Sequence, residues 1–227
     1  MRFYDMHVHP EVELAKILAF SKKLGWTGIC LIFKDIKDLE EAKKELKNVK
    51  DLDISFGIKL EPKNPAEIPR KVEPIRRKAD VILVYGGDLE VNRKACETSG
   101  VDILCHPELG RDDSGIDHVM AKLAAKNNVT IEFNFRQLLL SYGKSRSEYF
   151  AKLEKNAKLV RKYRAPFVLT SGAVSCWDLR SPSELISFGK LLGFDSKKVK
   201  SSLFGGIIEN NRKRLSGKWI MPGVEIE

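Results

Sequence analysis

Seven short, nearly unbroken apolar runs recur down the chain, separated by segments of helical period. They are FYDMHVH (3–9), TGICLIF (27–33), ISFGIKL (54–60), DVILVYG (80–86), VDILCH (101–106), VTIEFNF (129–135) and PFVLTSG (166–172). Continuous apolar runs of this length are expected of parallel strands covered on both faces. The segments between them carry helix-start signals. Asn64-Pro65-Ala66-Glu67 and Ser181-Pro182-Ser183-Glu184 each offer a cap residue, a proline at the first helical position and a glutamate at the third; Ser145-Arg146-Ser147-Glu148 reads as another capping box. Pro69 and Pro74 interrupt the third helical segment, which predicts one or two short turns there.

Repeated β-α units predict a parallel sheet with right-handed crossovers. About seven units with no boundary linker favour one α/β domain over residues 1–227, a TIM-like (β/α) barrel rather than a doubly wound sheet. An eighth strand is not evident. Residues 183–204 read as helical throughout and the terminal GVEIE is short, so the expected barrel has seven or eight parallel strands and is incomplete or distorted. No internal repeat, low-complexity tract or Gly/Ser linker interrupts it.

The 31% charged and 43% hydrophobic residues are a globular composition. No apolar run approaches the ~20 residues of a membrane span, and Asp5 and Glu11 interrupt any signal-peptide core. Cys30, Cys96, Cys105 and Cys176 show no C-x-x-C spacing. This argues against a zinc ribbon or secreted disulfide framework and suits reduced thiols in a cytoplasm. Charge adds more: 40 Lys+Arg against 31 Asp+Glu leave +9, a balance that suits an anionic partner such as RNA or DNA but is shared by many basic proteins that bind no nucleic acid.

Chemistry on such a barrel sits where strands end and βα-loops begin. Those positions hold His7 and His9; Lys34 and Asp35; Lys59 and Glu61; Cys105, His106 and Glu108, followed by Arg111; Glu132, Asn134 and Arg136, with Lys144 and Arg146 beyond; then Thr170, Ser171, Ser175, Trp177, Asp178 and Arg180. In a metal-dependent phosphoesterase His7, His9, Glu61 and His106 would converge on an ion. A two-metal centre needs more ligands, and the remaining histidine, His118, falls in a helical segment. Alternatively His7 and His9 form a buried hydrogen-bonded pair. In a nucleic-acid binder Arg111, Arg136, Lys144, Arg146 and Arg180 would present cations from loops on one face. The final segment adds Lys197, Lys198, Lys200, Arg212, Lys213 and Arg214, equally suited to a solvated helix. A third possibility is a barrel enzyme with Glu132 or Lys59 as general base and Glu61 as acid, although buried carboxylates often pair structurally with lysine. Rossmann, P-loop and G-x-S-x-G spacings are absent, and no Ser-His-Asp order can be assembled.

CHPELGRDDSGIDH (105–118), IEFNFRQLL (131–139), LTSGAVSCWDLRSP (169–182) and GGIIENN (205–211) together carry a resemblance. The chain, from its first residues to about Arg212, resembles the thirty-kilodalton subunit family (protein component 3) of archaeal ribonuclease P. The resemblance implies a TIM-like barrel related to the polymerase-and-histidinol-phosphatase superfamily. In metal-binding members of that superfamily an Asp-x-His follows the seventh strand; the matching positions here are Gly172-Ala173-Val174, which puts phosphoesterase activity in doubt. It further implies a noncatalytic subunit of an RNA-based endonuclease that matures the 5′ end of precursor tRNA. The RNA carries the chemistry with its own Mg2+, and this chain binds no cofactor tightly. Implied partners are the ribonuclease P RNA, a small α/β subunit forming a heterotetramer with it, the other ribonuclease P proteins and, through the holoenzyme, precursor tRNA. The expected RNA contacts are Arg111, Arg136, Lys144, Arg146 and Arg180, with Arg93 and Lys197 secondary; a rival role for Arg180 is an internal pair with Asp178.

Overall fold

Each apolar run becomes a strand in a computed structural model of the protein, which describes residues 2–10, 13–216, 219–221 and 224–225. The strands are β1 (Tyr4–Val8), β2 (Gly28–Phe33), β3 (Asp53–Leu60), β4 (Val81–Tyr85), β5 (Ile103–Cys105), β6 (Thr130–Asn134) and β7 (Phe167–Thr170). They pair in sequence order, every pair parallel. Helices α1 (Leu14–Lys23), α2 (Ile36–Glu45), α3 (Glu67–Arg76), α4 (Leu89–Glu97) and α5 (His118–Asn127) follow the first five strands. After β6 come α6 (Arg136–Leu140) and the long α7 (Gly143–Tyr163); after β7 come α8 (Pro182–Leu191), α9 (Ser196–Ser202) and α10 (Gly206–Leu215). The result is an incomplete TIM-like barrel. A separate antiparallel pair, Trp219–Met221 with Val224–Glu225, includes part of the GVEIE segment. Position 11 and the rest of that segment lie outside the described residues.

Alternate strand residues divide the core in two. Met6, Cys30, Ile32, Val81, Leu83, Ile103, Cys105 and Val168 fill the barrel interior. Ile29, Leu31, Ile82, Val84, Leu104, Ile131, Phe133 and Leu169 pack outward against the helices. Burying each of the larger aliphatic side chains contributes roughly 1.5–3 kcal/mol, which is why both faces of every strand read as apolar.

The helix-start signals were kept at one site and overridden at two. Ser181 and Glu184 form the reciprocal capping box that opens α8. Ser145 does not cap: α7 starts two residues earlier, and Ser147 donates to Gly143 O within the helix. Asn64 accepts from Ala66 N in a turn ahead of α3, so that helix begins at Glu67. Contrary to the expectation of short turns, α3 is one helix. Pro69 sits in its first turn, where N–H groups lack intrahelical partners anyway, and Pro74 falls near its end. Residues 183–204 are not helical throughout either; Gly193, at φ +79°, separates α8 from α9, and Asp195 caps the latter.

No eighth barrel strand appears among the described residues, and three substitutes close the seam between β1 and β7. Val8 bridges Ala173, whose carbonyl accepts from His9 N at 2.7 Å. The buried Asp5 carboxylate accepts from Ser171 N at 3.2 Å. At the opposite end Tyr4 N donates to Leu203 O, from the segment between α9 and α10. Helix α10 then plugs the barrel floor, inserting Ile208 among the interior residues. Gly205 makes the plug possible: its φ is +70°, and a Cβ there would meet the Tyr4 ring at 2.5 Å.

Candidate functional site at the barrel mouth

Backbone irregularities at two strand ends assemble the mouth. In β1, Met6 and His7 lie between the pairs Asp5–Ile29 and Val8–Leu31 and oppose Cys30 alone, a β-bulge. Met6 and His7 therefore both face the interior, with His9 beyond. His106 adopts φ +51°, a left-handed conformation uncommon for a non-glycine residue. That turn sets its ring 5.3 Å from Tyr85 and 5.6 Å from His7. The centre is Glu132, fully buried. Its Oε1 accepts from His7 Nδ1 at 2.7 Å, from Thr170 Oγ1 at 2.7 Å and from Asn134 Nδ2 at 3.3 Å.

Burial alone would raise the Glu132 carboxyl. The His7 charge and hydrogen bond, aided by His106 and Thr170, reverse this and hold it at about 2. His9 is pushed down to about 3 and His106 to about 4, foremost by burial, then by neighbouring charges that include Lys59. Glu132 is thus an ionised structural anchor rather than a general base. Glu61 is half-exposed and bonded to Lys59 at 2.9 Å, which keeps its carboxyl below the ordinary glutamate range. It is poorly suited to be an acid, and Lys59 is engaged as its partner.

A divalent ion at the mouth would find several of the expected donors displaced or engaged. Among the described residues, His7, Cys105 and Glu132 bring donor atoms within 4.8 Å of one another; Glu61 does not join His7, His9 and His106 as expected. Of these donors the Cys105 thiol donates to Val84 O, and burial pushes its ionisation well up. Glu132 Oε1 already receives three hydrogen bonds, and the Lys59 ammonium shares the mouth. The late ligand has no room. Gly172 lies at φ +63°, and a Cβ there would stand 2.4 Å from the Asn134 amide. Buried His7 Nε2, His106 Nδ1 and Glu132 Oε2 carry no protein hydrogen bond, as is usual where buried water completes a polar network.

The predicted cations are placed differently from one another. Arg111 forks onto Asp113 at 2.6 and 2.7 Å and donates to Gly87 O. Arg136 meets Asp178 at 3.3 Å. Arg180 is therefore not Asp178's partner; it donates to the carbonyls of Trp177 and Leu179, its guanidinium 5.5 Å from the Phe135 ring centroid. Arg146 donates to Ser141 O and covers the Tyr142 ring. Both Lys144 and Arg146 lie within α7 rather than in a loop; Lys144 is 90% exposed, 3.5 Å from Glu148. Arg93 pairs loosely with Glu97 on the outside of α4, at 3.7 Å. Lys197 is on α9, near the barrel floor, where Phe194 stacks on Phe167. Arg111 belongs to the loop after β5, and Arg136 and Arg180 brace the loop after β7 through Asp178 and Trp177 O; Arg93 and Lys197 are on α4 and α9.

Several structural residues escaped the sequence pattern. Tyr149 donates to buried Glu108 at 2.5 Å, and Asn156 to Ser114 O, fastening α7 to the mouth loop. At the floor, Asp53, Asp80 and Asp102 stand at the starts of three successive strands. Arg212 Nη1 donates to both Asp53 carboxylate oxygens, Asn211 to Asp102 and Asp80 O, and Arg76 to Asp102. Arg212 is accordingly a floor anchor and not a solvated helix residue. An aspartate opening strands 3, 4 and 5 was the available signal. His118 opens α5 and is exposed.

Comparison with known proteins now bears on this geometry. The sequence matches the family described as RNase P subunit p30 over residues 2–216. The chain belongs to the ribonuclease P p30 subunit family. It is 36% identical to ribonuclease P protein component 3 of Methanosarcina mazei over 231 residues, covering 99% of this chain and 95% of that one. To the same component of Methanothermobacter thermautotrophicus it is 35% identical over 210 residues, 89% and 86% of the two chains. A chain of the cryo-EM structure of archaeal ribonuclease P with mature tRNA superposes with TM-score 0.86, at 32% identity and 97% coverage of both chains. An Xaa-Pro dipeptidase, at TM-score 0.60 and 10% identity over 93% of this chain and 76% of its own, shares the fold alone. In this p30-family chain the mouth is a cross-linked polar lid on the barrel, built from residue types that elsewhere do chemistry.

Proposed function

We propose that this chain is a protein subunit of ribonuclease P that binds and stabilises the RNA through basic side chains. The RNA would perform the 5′ cleavage of precursor tRNA with its own Mg2+. The observation that carries this reading is the agreement, over 97% of both chains, with a chain from archaeal ribonuclease P with mature tRNA. The mouth supports it, because Glu132 Oε1 is engaged by His7, Thr170 and Asn134. Lys144, Arg146 and Arg180, with Arg111 and Arg136 bracing the loops between them, would neutralise phosphates of the folded RNA. Arg93 and Lys197 would serve separate, outlying contacts. A small α/β subunit joined with it in a heterotetramer, the other ribonuclease P proteins and cytoplasmic assembly complete the proposal. No described helix is long and apolar enough to cross a membrane.

The test is to tag the protein in its native cell, purify it under mild salt and sequence the accompanying RNA. Strong enrichment of ribonuclease P RNA and precursor tRNA is expected. A preparation free of specific RNA would overturn the reading.

A further inference from the structure

Trp177 lies in the loop between β7 and α8 and is 75% exposed. The backbone that carries it is pinned. Its neighbours Cys176 and Leu179 are buried, and Asp178 Oδ2 accepts from Val174 N and Ser175 N at 3.1 Å and from Arg136 Nε at 3.3 Å. Arg180 donates to Trp177 O at 3.0 Å, and the Arg180 carbonyl accepts from the indole of buried Trp26 at 2.8 Å. A large aromatic ring thus projects into solvent from a fixed loop. Its ring contact is Phe20 of α1, at 5.7 Å and 64°. Tyr142 is comparably exposed, but the Arg146 guanidinium covers its ring.

The surroundings say what such a ring would take. Lys23 sits over Phe20, and Arg180 donates to carbonyl oxygens; among the described residues neither cation has a carboxylate partner. An exposed aromatic ring with one such cation bonded to its own backbone carbonyl and another over its ring neighbour Phe20 suits a nucleobase flanked by phosphates. A protein hot spot would instead favour a tryptophan ringed by apolar neighbours that exclude water. Resting on the ribonuclease P reading above, we infer that Trp177 is a stacking platform for an unpaired base of RNA, with Arg180 and Lys23 engaging the adjacent phosphates. Stacking is tolerant of base identity, so the platform fixes a strand's position rather than its sequence.

The test uses the full chain and two probes, a ribonuclease P RNA transcript and a precursor tRNA. Binding of each to wild type, Trp177→Ala and Trp177→Tyr is measured across a salt series. In parallel, ultraviolet cross-linking of the wild type and mass spectrometry locate nucleotide adducts. The expected result is a cross-link at Trp177 to one probe, which names the RNA that supplies the base. Trp177→Ala should bind that probe roughly five- to 150-fold more weakly with an unchanged salt slope, while Trp177→Tyr retains most of the affinity. An unchanged melting temperature shows that the variants fold. Wild-type-like affinity of Trp177→Ala overturns the inference alone. So does a loss seen only when a protein partner is present, since the ring would then seat in protein. Failure of the wild type to bind either RNA overturns the ribonuclease P reading together with this one.

Discussion

Replacing Glu108 by glutamine should stabilise the protein above neutral pH and leave it unchanged in acid. Glu108 ends the Cys105-His106-Pro107-Glu108 turn and is almost wholly buried, with Tyr149 donating to its Oε1 at 2.5 Å. Burial pushes its carboxyl up from 4.5 to about 7, against the smaller lowering effect of the Tyr149 hydrogen bond. The folded state therefore holds this proton more tightly than the unfolded chain. The associated stabilisation is complete below about pH 4.5 and is lost as pH rises through about 7. At about 1.4 kcal/mol per pH unit, ionised Glu108 costs at most about 3 kcal/mol above that range. Glutamine keeps a carbonyl acceptor for Tyr149 and cannot ionise. Melting temperatures of the wild type and Glu108→Gln should coincide near pH 4.5 and separate towards pH 8, the variant being higher by up to about 6–12 °C. Comparing the two proteins at each pH cancels the titration of every other group. Parallel curves across the whole range would refute the assignment, as would a wild type that gains on the variant as pH rises.

Glu132→Ala should destabilise by about 3–5 kcal/mol, because His7, Thr170 and Asn134 lose their shared acceptor inside the barrel; urea denaturation measures this. If the mouth is structural, a holoenzyme reconstituted with that variant and assayed well below its melting point should cleave precursor tRNA close to the wild-type rate. Arg212→Ala should lower the melting temperature through the loss of its half-exposed contact with both Asp53 oxygens, worth about 1 kcal/mol, without altering the salt dependence of RNA binding. Arg180→Ala should reduce the log–log salt slope of RNA affinity by roughly 0.7–0.9, the value of one phosphate contact; an unchanged slope would remove Arg180 from the interface.

The strands were legible because burial on both faces leaves a signal that needs no knowledge of neighbours. Helix starts were less so. The Ser145 and Asn64 signals are chemically sound but stand beside sequence that begins the helix elsewhere. Closure of the barrel could not be read at all, since it depends on Ala173, Asp5 and Leu203 meeting β1 from distant parts of the chain. The candidate site shows the same division. That His7, His9, His106 and Glu132 lie at strand ends follows from periodicity. That Glu132, and not Glu61, sits among the histidines follows from its inward position within β6, whereas Glu61 lies past the end of β3 beside Lys59. Arg136 and Asp178 are 42 positions apart, and nothing local distinguishes that pairing from the expected one between Asp178 and Arg180.

The distinction between kinds of partner matters most for the net charge of +9. A guanidinium bonded to a carboxylate is both positioned and neutralised. Arg111 on Asp113, Arg136 on Asp178 and Arg212 on Asp53 are of this type. A guanidinium bonded to carbonyl oxygens is positioned while its charge stays uncompensated. Arg180 on Trp177 O and Leu179 O, and Arg146 on Ser141 O, are of that second type, and both stand near the mouth. Such side chains have already lost much of the rotamer freedom that phosphate binding would remove, yet they retain the charge that releases counterions from RNA. The carboxylate-paired arginines would have to exchange one anion for another, with a smaller net gain. In the proposed RNA-binding role the polar mouth and the loops around it would therefore divide the work: Glu132 and Asp178 fix the scaffold, and the arginines left with neutral partners would meet phosphate.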